Sequence, residues 1–221
     1  MKKASTSGSR AGHEPVRPSL TKALIAELLG TFFLMLTFGL ILVPPGPGAM
    51  IPFAAGAMYA ALIAFGRPIS GGHFNPAVSL AAAIVGSLGW LRLLPYWIAQ
   101  LLGAVAAAAS VWVIKGDVAP EAMVADPGPT LLLEFLFTLP ICLVFLSTRE
   151  NPSSGVFVGL VLAAGMLAAG PVSGGVFNPA LAVGLHGLNL IAQPSLWLYP
   201  FAALVAAFGA AGVFYLFDKK R

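Results

Sequence analysis

The chain reads as an all-α membrane protein in which six transmembrane helices and two re-entrant half-helices form an inverted repeat. Three observations predict this. Hydrophobic residues make up 58% of the 221 positions and charged residues only 9%, whereas a soluble domain carries roughly a quarter charged residues. The apolar positions fall in six runs, residues 23–43, 50–65, 96–114, 130–147, 156–169 and 196–217; most approach the roughly 17–25 residues that cross a hydrocarbon layer as a helix. The octapeptide Ser70-Gly71-Gly72-His73-Phe74-Asn75-Pro76-Ala77 recurs about a hundred positions later as Ser173-Gly174-Gly175-Val176-Phe177-Asn178-Pro179-Ala180, with seven of eight residues identical. No run shows the ~10-residue alternation of a transmembrane β-barrel strand.

Taken in order, residues 1–19 are rich in Ser, Gly, Arg and Pro and carry too little apolar surface to order themselves, so they read as a mobile cytoplasmic tail. Residues 20–221 form one membrane domain. Its first run follows basic residues as a secretory signal would, but it is about twenty residues long and has no small-residue cleavage site, which marks a retained helix. The second and fifth runs are short and lead into the two copies of the motif. After each Asn-Pro comes a helix-compatible segment too short to span, residues 77–85 and 180–188. Asn is a favoured N-cap and Pro is preorganised for the first helical position, so Asn-Pro is a helix-start signal. The glycines just upstream permit a tight approach of the chain.

The duplication extends beyond the octapeptide. Glu27 precedes Thr31 by four residues in the first run, as Glu134 precedes Thr138 in the fourth. Each half therefore reads helix, helix, motif, helix, over about residues 20–115 and 128–217. Three crossings is an odd number, so the second copy must enter from the opposite face, and such inverted repeats place their functional site near the midplane. With the N-terminus inside, eleven of the Lys and Arg residues fall on the inner side and Lys115 alone outside. Both termini are then cytoplasmic.

Irregular backbone at membrane depth is tolerated only where protein buries it or it lines a wet cavity. Two half-helices entering from opposite faces would meet N-terminus to N-terminus. Their free amides and dipoles would set a positive potential at the midplane that disfavours cations and protons. The Asn75 and Asn178 amides can donate to the oxygen of a passing neutral molecule while upstream carbonyls accept. An intramembrane carboxylate faces a polar interior, so Glu27 and Glu134 read as acceptors for the loop amides.

With Asn75-Pro76-Ala77 and Asn178-Pro179-Ala180 in matching flanks, and with Tyr96-Trp97-Ile98-Ala99-Gln100-Leu101-Leu102-Gly103-Ala104 similar to a third helix, the chain resembles the major intrinsic proteins, the aquaporin and aquaglyceroporin family, over about residues 21–217. The resemblance implies a passive channel, a right-handed bundle with one pore per subunit, a homotetramer, and Glu27 and Glu134 as buried supports of the motif loops. It further implies a constriction at Ala55, Met166, Gly175 and Leu181, with Gly56 and Gly165 as neighbouring helix anchors. Water-selective members carry an arginine where this chain has Leu181. A mouth of Ala, Met, Gly and Leu has no charged donor and is expected to be wider and greasier than a water filter, although Met is long enough to close it in part. Ala182 departs from the aspartate of glycerol facilitators. Members without the arginine include bacterial channels associated with arsenic detoxification, so the implied permeants are water and small neutral solutes: neutral metalloid hydroxides such as arsenite, glycerol, urea or hydrogen peroxide. The implied location is a bacterial inner membrane.

Competing readings are a water-selective channel, a poorly conducting structural relative occluded by Leu181 and Met166, and a secondary transporter. The last lacks an ionisable residue in the spans beyond Glu27 and Glu134 to couple an ion. No nucleophile–base pair, metal-ligand cluster or cofactor motif accompanies the repeats, so no catalytic residue and no metal or cofactor is expected. The basic pI of about 9.5 reflects topology rather than nucleic-acid binding. Cys142, the single cysteine, forms no intrachain disulfide and reads as a small packing residue. His73 reads as offering its carbonyl to the pore or as a cytoplasmic gate, and His186 as a polar interface residue. Trp90, Trp97, Trp112 and Trp197 suit interfacial belts or packing.

Overall fold

The computed structural model describes residues 19–116 and 120–217. Within them lie eight α-helices: α1 Leu20–Leu42, α2 Ile51–Gly66, α3 Pro76–Ile84, α4 Trp90–Lys115, α5 Pro127–Ser147, α6 Ser154–Ser173, α7 Pro179–Gly187 and α8 Leu198–Phe217. Six segments are long and apolar enough to cross a membrane; α3 and α7 are the half-helices. At nine residues each, α3 and α7 extend about 14 Å, less than half the hydrocarbon thickness. The expected tail, apart from Ser19, and the basic residues at 219–221 lie outside the described residues.

Two boundaries differ from the sequence expectation. Helix α4 begins at Trp90 rather than near Tyr96 and runs through Pro95, whereas α6 continues past Ala169 through Pro171 to Ser173. Proline costs a helix one backbone hydrogen bond and a clash one turn upstream. Both prolines sit within two turns of a helix end, where few turns depend on that bond.

The helices pack in an order that reproduces the duplication. Helix α1 packs along α4, and α5 along α8, within the halves; α2 packs along α6 across them. The half-helices cross over, α3 packing against α8 and α7 against α4. Lipid provides no hydrophobic drive for helices to associate, so the contacts depend on close backbone approach at small residues. At the α2–α6 crossing a side chain on Gly56 would collide with the Gly159 backbone and one on Gly159 with the Gly56 backbone; Gly103 lies equally close to Leu28 on α1. Polar residues occupy the centre, with Glu27, Glu134 and Gln100 fully buried, while Leu91, Leu94, Phe201 and Phe208 face outward. That arrangement suits a hydrocarbon solvent.

Candidate functional site

Each motif loop holds the backbone in a conformation that the sequence alone does not advertise. Phe74 and Phe177 have φ of +51° and +50°, although neither is glycine, a strain of about 1–2 kcal/mol each. Two features offset it. The Phe74 N–H donates to Glu27 Oε2 at 2.7 Å and the Phe177 N–H to Glu134 Oε2 at 2.6 Å. Both rings are buried in notches that a side chain would fill, Phe74 at Gly30 and Gly66, Phe177 at Gly165.

The two buried carboxylates are surrounded by loop donors. Glu27 Oε1 accepts from Ser70 Oγ at 2.6 Å and from the His73 N–H at 2.9 Å, and Oε2 also accepts from Gln100 Nε2 at 2.8 Å. Glu134 Oε1 accepts from Ser173 Oγ at 2.8 Å and from the Val176 N–H at 3.0 Å. Charge-assisted bonds of this kind compensate a carboxylate for lost hydration.

Asn75 and Asn178 are the N-caps of α3 and α7, each followed by Pro as the first helical residue. Asn75 Oδ1 accepts from the Ala77 N–H, and Asn178 Oδ1 from the N–H groups of Ala180 and Leu181. Asn75 Nδ2 donates to Phe177 O and Asn178 Nδ2 to Phe74 O. This narrows the expectation of free amides at both helix starts, because proline has none and the next N–H is capped. A primary amide carries two N–H groups, so each asparagine retains one after the crossed bond. The upstream carbonyls are partly engaged as well: Tyr59 Oη donates to His73 O, Tyr96 Oη to Ser70 O, and Tyr199 Oη to Ser173 O.

Both asparagines line one small cavity with Leu34, Phe38, Tyr59, Ile141, Leu162 and Leu181. Its volume is about 10 Å³, room for about one water. The two asparagines therefore line a void about one water in size, set among mostly apolar side chains. The arrangement can hydrogen-bond a small neutral molecule, and an ion would have to shed its hydration there.

Of the four positions expected at a constriction, Leu181 lines this cavity and Gly175 packs directly on Met166, its would-be Cβ lying 3.0 Å from Met166 Cα. Ala55 is fully buried on α2, beside Gly56. The cavity beside Leu181 is lined mostly by apolar side chains and holds about 10 Å³. Met123 lies against Gly174, in a segment tied to residues 190–192 by backbone hydrogen bonds.

Several residues at the site were not singled out from sequence. Tyr96 and Tyr199 clamp equivalent carbonyls, and their separation equals that of Ser70 from Ser173 and of Asn75 from Asn178, so extending the repeat would have found them. Gln100 and Ser79 have no such counterpart: Gln100 Nε2 joins Ser79 Oγ as well as Glu27, and Ser79 meets His73 Nδ1. Trp97 donates to Pro76 O at 3.0 Å, which places it in the motif's support rather than in a belt. His186 contacts Ile191 O, and Cys142 is buried and free.

On the side of the first motif, a vestibule of about 670 Å³ ends at His73 and is bordered by Arg67, Arg92, Arg149 and Glu150. Burial, and secondarily the Arg67 charge, push the His73 imidazole down to about 3. Burial also lowers the Arg67 guanidinium from its ordinary value.

Comparison with known proteins agrees with this geometry. Residues 14–215 match the family model described as Major intrinsic protein. Aquaporin TIP1-1 of Arabidopsis thaliana is 32% identical over 225 residues, covering 91% of this chain and 88% of that protein. Aquaporin NIP1-4 of Oryza sativa subsp. japonica is 33% identical over 211 residues, covering 87% and 76%, and Aquaporin-8 of Mus musculus is 33% identical over 178 residues, covering 72% and 68%. The X-ray structure of the aquaglyceroporin from Plasmodium falciparum superposes with a TM-score of 0.73 at 23% identity, covering 91% of this chain and 96% of that one, which shows a shared fold. These relatives are membrane channels and not enzymes. With the duplicated Asn-Pro-Ala loops meeting at a small cavity that both asparagines line, and a family match along nearly the whole chain, the protein belongs to the major intrinsic protein family of channels.

Proposed function

We propose that the chain is a passive channel for water and small uncharged solutes, selected by an uncharged, hydrophobic constriction of Ala55, Met166, Gly175 and Leu181. Asn75 and Asn178 orient the permeant from the midplane, and Glu27 and Glu134 hold the loops that carry them. The observation that supports this best is Leu181 in the wall of the cavity that both asparagines line: the permeant meets amide donors on one side and hydrocarbon on the other, with no charged group between. Arsenite, glycerol, urea and hydrogen peroxide belong to the class that such a lining accepts, because all are neutral and hydrogen-bonding. Solutes larger than water require Leu181 and Met166 to change rotamer, and Met is well suited to that. The working unit is a homotetramer with both termini cytoplasmic, and residues 20–221 act as one channel domain.

A water-selective channel is the second reading, favoured by a cavity of about 10 Å³. Stopped-flow light scattering of proteoliposomes in a glycerol gradient separates the two. Fast shrinkage followed by fast re-swelling supports the neutral-solute channel, and fast shrinkage alone supports the water-selective one. Neither phase above empty liposomes overturns both.

A further inference from the structure

The charges along the described path are distributed unevenly. The vestibule beside the first motif sets three arginines, Arg67, Arg92 and Arg149, against Glu150. At the opposite ends of the same helices the described charges are Lys115, Glu121 and Asp126, and the constriction there presents Leu181. A cation approaching from that side meets Glu121 and Asp126 as well as Lys115, and the residues lining the asparagine cavity beyond them carry no charge.

Arg67 is the vestibule arginine most firmly held. It caps the end of α2, and its two terminal nitrogens donate to Arg149 O and to Ser154 Oγ. Its guanidinium carbon lies 5.0 Å from the centre of the Phe145 ring, and that ring in turn lies 5.3 Å from the His73 ring. The Nε atom is buried without a hydrogen-bond partner. A forked, stacked and partly desolvated guanidinium is a charge fixed in place and weakly screened. It stands one ring away from His73, whose carbonyl is bonded by Tyr59, a wall residue of the asparagine cavity.

We propose that Arg67 is the residue that excludes cations from this pore, so that the charge barrier stands at the vestibule of the first motif instead of at the Leu181 constriction. The assignment rests on reading the chain as a channel for water and small uncharged solutes. The half-helix dipoles add a potential of the same sign at the midplane, and Arg67 supplies the full unit charge on the approach to it.

Ammonium is the suitable probe because it is close to water in size and differs in charge. Wild type, Arg67→Gln and Arg67→Lys are compared in proteoliposomes for ammonium permeability per unit of water permeability, with the reversal potential in an ammonium chloride gradient separating cation from chloride movement. Arg67→Gln should raise the ratio roughly several-fold or more, as removal of a weakly screened unit charge does, while Arg67→Lys should stay within about twofold of wild type. Lysine keeps the charge and loses the fork to Arg149 and Ser154. A purely structural role predicts that both variants leak alike, and that result, or an Arg67→Gln channel as ammonium-tight as wild type, overturns the proposal. Should Arg67→Gln fail to assemble, Arg67→Met is judged by the same criteria. Absence of water flow through the wild type would instead overturn the channel reading on which this one rests.

Discussion

Asn75 and Asn178 each donate a side-chain hydrogen bond to the carbonyl that precedes the other, Asn75 Nδ2 to Phe177 O and Asn178 Nδ2 to Phe74 O, both at 2.9 Å. The crossed pair ties the two half-helices together at their N-termini and fixes the direction of the remaining amide N–H on each residue. The donors that orient a permeant are thus held by the same bonds that hold the fold.

Replacing Asn178 with Ala removes the α7 cap, worth about 1 kcal/mol, and leaves Phe74 O buried without its donor, at about 1–3 kcal/mol. The expected outcome is a lower melting temperature in detergent and a loss of water permeability. Asn75→Ala should behave alike, and the double variant should lose less than the sum, because the two residues share one junction. Strict additivity would show that the loops are not coupled through these bonds.

Glu134→Gln tests the carboxylate supports. Each Glu134 oxygen already accepts a backbone N–H, from Val176 and from Phe177, so a glutamine must aim its own N–H groups at one of them. The loss should be about 2 kcal/mol or more, seen as a lower melting temperature and reduced water flow. A variant as stable as wild type would mean that the Phe177 conformation is maintained by ring packing alone.

Leu181→Arg places a long cation in the wall of the asparagine cavity. Glycerol and urea flux should fall relative to water flux, with water flow retained. Unchanged solute flux in stopped-flow traces would remove Leu181 from the constriction.

The His73 imidazole is lowered to about 3 by burial and by the Arg67 charge. A lowered value keeps the ring neutral at every pH above it, so protonation cannot close the vestibule in the physiological range. Water permeability should stay flat from about pH 8 to about pH 5, where an ordinary histidine would titrate near 6.5. A step centred near pH 6 would reinstate His73 as a gate.

Much of the site is visible in the one-dimensional pattern. Six apolar runs, an odd number of crossings per half and two Asn-Pro-Ala motifs are properties of composition and order, and hydrocarbon admits few ways of satisfying them. Glu27 and Glu134 were legible for the same reason, since a carboxylate inside a span must find donors. Helix ends were less so, because Pro95 and Pro171 punctuate the sequence while α4 and α6 continue through them.

The sequence by itself determined the membrane class, the inverted duplication, the half-helix starts at Asn75 and Asn178, and the uncharged character of Leu181. Only the tertiary structure decided how the loops are held and how much space is left between the two asparagines. The left-handed Phe74 and Phe177, the clamps from Tyr96 and Tyr199, the one-sided Gln100–Ser79 network and the crossed asparagine bonds join residues from 21 to 104 positions apart. No local periodicity encodes such separations. The small cavity beside Leu181 follows the same rule, because free volume depends on how side chains from five helices and both motif loops interlock, whereas charge is carried by the residue itself.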